Sequence, residues 1–144
     1  TEDAWFCIQE INIGMTADVG TFPRISKLIP DGLARELAYT GRRMGAEEAQ
    51  AIGLVNRVFP DHEALVNGVL EIAREIARKA PLAIYGTKRM MNHARDNTTA
   101  DSLDYIAIWN ASMLQFAEIR EAMTANKEQR EGEFVPLPKV GHTL

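Results

Sequence analysis

The chain has 144 residues, and 16 Lys and Arg against 20 Asp and Glu give it a formal net charge of −4 at pH 7. Hydrophobic residues make up 46% of the sequence, which is typical of one ordinary globular unit and excludes collagen-like, low-complexity and disulfide-stapled chains. A nucleic-acid binder is not expected, because phosphate neutralisation needs clustered Lys and Arg on a basic surface.

The chain begins with a predicted strand that leads into a loop. Residues 4–8 form a short apolar run of the kind found in strands buried on both faces. One strand cannot satisfy its own backbone groups, so we expect its partners in another segment. Residues 10–20 combine Gly14 and Gly20 with small polar side chains, which predicts a loop.

Three short helices and a second strand are predicted next. The first helix carries Pro23 in its first turn and stops at Pro30, and the second ends at Gly41. Residues 46–51 give the third helix. Residues 54–59 then favour a short strand.

The remainder of the chain is predicted to be helical. The helical segments cover residues 61–79, 81 to about 96, about 99–114 and 116–130. Asp61 is the expected N-cap of the first segment, and Thr99 or Asp101 that of the third, which either continues or kinks into the fourth. Residues 132–144 should form an extended, mobile tail. A small α/β part followed by a long helical half is unbalanced for an independent domain. This order of elements predicts that the chain is part of a larger protein.

The composition also bears on the cellular compartment. Cys7 has no partner within these residues, which favours a reducing compartment, and its apolar neighbours favour a small buried hydrophobe over a nucleophile. No apolar stretch approaches the roughly 18 residues of a membrane span, and the first three residues lack the positive start of a signal peptide. We therefore expect neither membrane insertion nor export.

Most other polar residues form no recognisable pattern. No metal site is predicted, because the histidines lack ligand spacing; they are His62, His93 and His142. Two basic pairs are either solvated charges, which we favour, or phosphate contacts; they are Arg42-Arg43 and Lys88-Arg89.

Glu10 and Asp18 are the candidate catalytic residues. Glu10 directly follows the first predicted strand, and Asp18 lies eight positions on, among small and apolar residues that would desolvate both carboxyls and raise their pKa, as a proton-transfer pair requires. Fully extended, the intervening chain would separate them by roughly 26 Å, so the chain must fold back for them to share a substrate. From the residues alone, Asp18 as a helix N-cap and Glu10 as a surface charge remain the alternatives.

Three stretches of the sequence form a recognisable combination: FCIQEINIGMTADVGTFPRISKLIP, LAYTGRRMGAEEAQAIGLVNRVFP and APLAIYGTKRMM. Together they resemble the C-terminal half of the crotonase, or enoyl-CoA hydratase/isomerase, superfamily. Hydratases of this superfamily share a Pro-Glu-Ile motif whose Glu works on the substrate, and this sequence keeps that residue as Glu10, with Gln9 in place of the Pro. Asp18, which stands where a hydratase has the first Gly of a turn, resembles the Δ3,5-Δ2,4-dienoyl-CoA isomerases, as does the stretch over residues 105–115.

The resemblance implies an α/β fold class: the C-terminal half of a crotonase-type ββα spiral fold, followed by an all-helical oligomerisation region. Residues 1–60 would be the C-terminal part of the α/β core, residues 61–131 a helical trimerisation region, and residues 132–144 the tail. Members form trimers, often paired into hexamers. The candidates for the buried apolar surface, as core or subunit interface rather than ligand pocket, are Trp109, Met113 and Phe116.

The implied activity is the isomerisation of 3,5-dienoyl-CoA to 2,4-dienoyl-CoA in fatty-acid β-oxidation. By resemblance, Glu10 acts at C2 and Asp18 at C6, or the reverse, and no cofactor is needed because coenzyme A belongs to the acyl-CoA substrate. The oxyanion hole of this superfamily comes from two backbone N–H groups upstream. The chain is thus expected to be a fragment, inactive without its N-terminal half.

Two other functions remain open at this stage. An enoyl-CoA hydratase would use Glu10 and leave Asp18 incidental, and a non-catalytic oligomerisation or acyl-CoA-binding module would use neither carboxylate. The expected compartment is the cytoplasm in a bacterium, and the mitochondrion or peroxisome in a eukaryote.

Overall fold

The computed structural model describes residues 1–138, which divide into one compact unit over residues 1–69 and a second that begins at Leu70. The elements of the first unit are β1 (Trp5–Phe6), a 3₁₀ helix (Gln9–Ile13), α1 (Thr21–Ile25), α2 (Asp31–Thr40), β2 (Met44–Gly45) and α3 (Ala46–Ala51). Helix α4 (His62–Ala77) spans the boundary between the units. The second unit continues with α5 (Pro81–Ala94), α6 (Thr99–Met113) and α7 (Phe116–Glu128).

The first predicted strand is short, and one of its partners lies within this chain. β1 pairs antiparallel with β2, which sets Trp5 opposite Gly45 and Phe6 opposite Met44. The expected partner in another segment is thus β2 of the same chain. Trp5 is 51% exposed and Phe6 38%, so the predicted burial on both faces is wrong within the chain. The Arg43 guanidinium lies 3.9 Å from the centre of the Trp5 ring, in a cation–π contact.

The predicted strand over residues 54–59 does not form. The N–H groups of Leu54 and Val55 both donate to the Ala49 carbonyl, at 2.9 and 3.2 Å, and close a turn after α3. Phe59 accepts one bond from the Glu2 N–H at 2.9 Å. A strand needs a ladder of such bonds with a neighbour, so the apolar run becomes a turn and an irregular segment.

The short helices agree with the sequence more closely than the strands do. Helix α2 ends at Gly41 and α3 spans 46–51, both as predicted. Helix α1 is shorter than predicted, because it ends at Ile25 and the chain then turns toward Pro30. The predicted loop over residues 10–20 begins instead as a 3₁₀ helix.

The core of the first unit is small and rich in alanine. Met44 is 1% exposed and Ala49 fully buried, and both belong to a cluster that gathers residues from β2, from α2 and α3, and from the segments between the elements. The other buried members are Ile8, Ala17, Ile29, Ala34, Leu37 and Ala38. Because Ile8 precedes the 3₁₀ helix and Ala17 follows it, both ends of the candidate site segment are anchored in one core.

The helix caps of the second half are partly as predicted. Asp61 caps α4 by accepting a bond from the Ala64 N–H at 2.8 Å, which confirms that prediction. Helix α6 is capped by Thr98, whose hydroxyl accepts from the Asp101 N–H at 3.2 Å, so the predicted cap at Thr99 or Asp101 is wrong. Leu114 and Gln115 have extended backbone conformations and separate α6 from α7. The two segments are therefore separate helices and do not continue as one.

Trp109, one of the three apolar candidates in this half, packs within the chain. The Trp109 ring lies 5.8 Å from that of Tyr85, and its indole packs so closely on Gly86 that a Cβ there would lie 2.7 Å from Nε1. Met113 is 37% exposed and Phe116 77%. None of the helices within residues 1–138 combines the length and apolar composition that a membrane crossing requires.

An ion-pair network fastens the segment after α7 to that helix. Arg130 donates to both carboxylate oxygens of Glu121, at 2.5 and 3.1 Å, and to Glu128 at 2.7 Å, while the Glu133 N–H donates to Glu121 at 2.9 Å. These bonds, that from Arg130 above all, lower the pKa of the Glu121 carboxyl from its ordinary value of 4.5 to about 2. Residues 131–138 have no regular secondary structure, and the rest of the predicted tail, with His142, lies outside the described residues.

Glu121→Gln is expected to lower stability in a pH-dependent way. Because the pKa is lower in the folded protein, the carboxylate stabilises the fold above about pH 4.5, and this contribution is lost as the pH falls toward 2. Urea unfolding at stepped pH should show a constant deficit near pH 7 that shrinks below pH 4.5. The control is Glu75→Gln, since Glu75 is exposed and has no ion pair within the described residues. A Glu121→Gln deficit that stays constant down to the acid limit would contradict the assignment.

Candidate active site

Glu10 is carried by the 3₁₀ helix Gln9–Ile13, which directly follows the buried Ile8. The Met15 N–H donates to the Glu10 carbonyl at 3.0 Å, so the chain turns back immediately after the helix. The Glu10 side chain is half-buried, and within residues 1–138 it makes no hydrogen bond or ion pair. This leaves its carboxylate available to a substrate.

The carbonyl of Gly41, at the end of α2, holds this 3₁₀ helix in place. It accepts bonds from the Asn12 side-chain amide at 3.1 Å and from the Cys7 thiol at 3.2 Å. Both donors also reach the Gln9 side-chain oxygen, at 3.2 and 3.3 Å. Cys7 is thus half-buried and hydrogen-bonded rather than a fully buried hydrophobe. Gln9, which replaces the Pro of related motifs, takes part in this link.

Gly41→Ala is expected to destabilise the protein by about 1 to 3 kcal/mol. Gly41 has φ +58°, which L side chains rarely adopt, and a Cβ would lie 2.5 Å from the Asn12 side-chain nitrogen. Urea unfolding measures the loss. Gly32→Ala is the matched control, because Gly32 lies in the first turn of α2 with nothing within 4 Å of an added Cβ, and it should leave stability unchanged or raise it by up to about 1 kcal/mol. Equal effects of the two changes would show that the Gly41 backbone carries no special constraint.

Asp18 lies in the loop between the 3₁₀ helix and α1. Its predecessor Ala17 is buried at 8% exposure, whereas Asp18 itself is exposed and Val19 is 77% exposed. Gly20 occupies the N-cap position of α1, and no side chain caps that helix. The N-cap alternative for Asp18 is therefore wrong. Within the described residues its carboxylate, like that of Glu10, accepts no hydrogen bond.

The structure seats both candidate residues on one segment anchored at Ile8 and Ala17, and the turn after Glu10 folds the chain back between them. The desolvation predicted from the sequence is only partly present. Glu10 is half-buried, but Asp18 is exposed to water in this chain.

The neighbouring basic pair is committed to contacts within the chain. Arg42 bonds Glu36 at 2.7 Å and both oxygens of Glu48, at 2.6 and 2.9 Å, and Arg43 lies over Trp5. The Arg42 bonds lower the pKa of the Glu48 carboxyl, and Glu48, followed by Glu36, raises the pKa of Arg42. These contacts favour a structural role over a phosphate contact. No group of His, Cys, Asp or Glu within residues 1–138 is placed to hold a metal ion.

Residues 1–136 match the family model described as enoyl-CoA hydratase/isomerase. The chain belongs to the enoyl-CoA hydratase/isomerase family. It is 42% identical over 140 residues to the human mitochondrial Delta(3,5)-Delta(2,4)-dienoyl-CoA isomerase, covering 96% of this chain and 43% of that protein. It is 39% identical over 137 residues to a peroxisomal dienoyl-CoA isomerase of Arabidopsis thaliana, covering 95% and 49%.

Solved structures of enoyl-CoA hydratases share the fold of this family member. One from Mycobacterium tuberculosis H37Rv superposes with a TM-score of 0.85 at 28% identity and covers 93% of this chain and 53% of that one. The predicted α/β class and the crotonase-type family are thus confirmed. The chain spans about half the length of the proteins it matches.

Proposed function

We propose that this chain contributes the two proton-transferring carboxylates of a Δ3,5-Δ2,4-dienoyl-CoA isomerase. The observation that carries the proposal is the identity of about 40% to dienoyl-CoA isomerases over nearly the whole chain. The structure supports it by leaving Glu10 and Asp18 without protein partners, within the described residues, on one anchored segment.

The reaction moves one proton along a conjugated acyl chain. Glu10 removes a proton from C2 of the 3,5-dienoyl thioester, and the electron pair passes into the conjugated system and onto the thioester oxygen. Asp18 then delivers a proton to C6, which leaves double bonds at C2 and C4, and proton exchange with water returns Glu10 and Asp18 to their starting states. Two acids near opposite ends of one conjugated system serve this shift in either direction, so the reverse assignment of the two residues uses the same site.

The negative charge on the thioester oxygen needs hydrogen-bond donors, each worth roughly 3 to 4 kcal/mol in comparable sites. We propose that these donors lie outside this chain, in an N-terminal half, and that the chain corresponds to the C-terminal half of the enzyme. Mixing the chain with a separately expressed N-terminal half should then produce diene isomerisation that neither part shows alone. Full activity of the 144-residue chain by itself would contradict this.

The activity is tested with the complete polypeptide that carries this chain. It should convert a 3,5-dienoyl-CoA to the conjugated 2,4-dienoyl-CoA, followed by ultraviolet absorbance. Hydration of a 2-enoyl-CoA with no diene isomerisation would instead establish the second candidate, an enoyl-CoA hydratase. That candidate is favoured by the close superposition on a solved hydratase and by the retention of Glu10.

The helical region is proposed to pack subunits into trimers, which pair into hexamers. Large apolar side chains of α6 and α7 are exposed in the single chain, among them Ile108 at 67%, Phe116 at 77% and Met123 at 68%. Sedimentation of the complete polypeptide tests this, and a monomer would contradict it.

The mitochondrial and peroxisomal relatives support the same compartments for a eukaryotic source, and no comparison supports the bacterial cytoplasm.

A further inference from the structure

The loop that carries Asp18 is held by a cation from the next helix. Arg24 of α1 donates from Nη1 to the carbonyl oxygens of Val19 at 3.1 Å and of Gly20 at 3.2 Å. These carbonyls belong to the two residues that directly follow Asp18. One guanidinium group therefore fixes the backbone beside the carboxylate.

The backbone at Gly20 is shaped to admit this contact. Gly20 has φ +87°, a conformation that glycine adopts at little cost, and a Cβ at this position would overlap Arg24 Nη1. On the other side of Asp18, the Ala17 side chain is buried in the core. Asp18 is thus constrained through both of its neighbours, although its own side chain is exposed and unbonded within the described residues.

The charge of Arg24 is used differently from that of Arg35 and Arg42 in the same unit. Arg35 pairs with Asp31 at 2.7 Å, and Arg42 pairs with two glutamates. Within residues 1–138 Arg24 forms no ion pair and bonds main-chain oxygens instead. A side chain that only solubilised the surface would need neither of these bonds.

We propose that Arg24 is the positioning residue for Asp18 and acts by holding the Val19 and Gly20 carbonyls, an inference that rests on the proposed proton transfer by Asp18. A misplacement of about 1 Å can cost a reaction about 10²-fold. Arg24→Gln should therefore lower kcat for diene isomerisation about 10- to 100-fold, with KM changed less than about threefold.

The test is a double-mutant cycle in the complete polypeptide with 3,5-dienoyl-CoA as substrate. If Arg24 acts through Asp18, the Arg24→Gln/Asp18→Asn double variant should be no slower than Asp18→Asn alone. Arg35→Gln is the matched control, because it removes an exposed cation of the same unit that bonds Asp31 and Tyr39, and it should leave kcat unchanged. Arg24→Lys keeps the charge but places its donors on a single nitrogen, and its kcat should fall between those of wild type and Arg24→Gln.

Each outcome decides a separate point. Two losses that multiply in the double variant, or a wild-type kcat in Arg24→Gln, would overturn the positioning role. If thermal unfolding shows that Arg24→Gln is not folded, Arg24→Lys replaces it in the cycle. A wild-type kcat in Arg24→Lys would then overturn the proposal equally. Full isomerisation by Asp18→Asn alone would refute the proposed function, whereas a loss in Asp18→Asn with none in Arg24→Gln refutes only the positioning role.

Discussion

Asp18→Asn is expected to lower diene isomerisation by about 10²- to 10⁴-fold, the usual contribution of a general acid or base. Asn keeps the size of the side chain but cannot deliver a proton to C6. Hydration of a 2-enoyl-CoA, where the enzyme supports it, should be retained, because water adds at C3 and the hydratase alternative assigns no role to Asp18. The two rates are measured on one preparation of the complete polypeptide, by diene absorbance and by loss of the enoyl absorbance.

Asp31→Asn serves as the control for this change. Asp31 is exposed at the start of α2 and pairs with Arg35, so its amide variant removes the same charge from the same unit without touching the candidate site. It should leave both rates near wild type. An equal loss of hydration and isomerisation in Asp18→Asn would mean that Asp18 stabilises the fold and does not transfer a proton. No loss at all would remove it from the mechanism.

Glu10→Gln is expected to lower the rates of both reactions, each by about 10²- to 10⁴-fold, since either reaction requires a carboxylate near C2 or C3 of the acyl chain. The substitution should leave the local fold intact. The bond from the Met15 N–H goes to the Glu10 carbonyl, and the side chain has no partner within the described residues. Thermal unfolding should therefore match wild type while turnover is lost.

Glu47→Gln is the control for Glu10→Gln. Glu47 lies exposed in the first turn of α3, so its neutralisation changes the net charge by the same amount. It is expected to keep full activity. If Glu10→Gln retained isomerisation while Asp18→Asn lost it, the two-carboxylate mechanism would fail and Asp18 would have to act with a base from another segment.

The sequence predicted the helices of this chain better than its strands, for a physical reason. Helix boundaries depend on local chemistry, such as the left-handed Gly41 that ends α2 and the Asp61 carboxylate that caps α4. Strands depend on a partner. Residues 54–59 have the apolar composition of a strand but no ladder to join, and β1 pairs over only two residues.

The candidate site was accessible from the sequence only in part. The two carboxylates stand out by resemblance to a family, whereas their spacing alone left an N-cap and a surface charge as alternatives. The groups that hold the segment were not predictable. Arg24 and Asn12 bond main-chain oxygens, and Gly41 was visible only as a helix end, not as the acceptor that ties the 3₁₀ helix to α2. Contacts between side chains and main-chain oxygens leave no periodic trace in a sequence.

The two buried anchors, Ile8 and Ala17, have one more consequence. Because both residues are buried in the same cluster, the separation between Glu10 and Asp18 is set by tertiary packing and not by the length of chain that joins them. Ile13 and Met15, which lie between the anchors, are 66% and 52% exposed and can be exchanged without loosening either end. Substitutions at these two exposed positions are therefore expected to leave the separation of Glu10 and Asp18 unchanged.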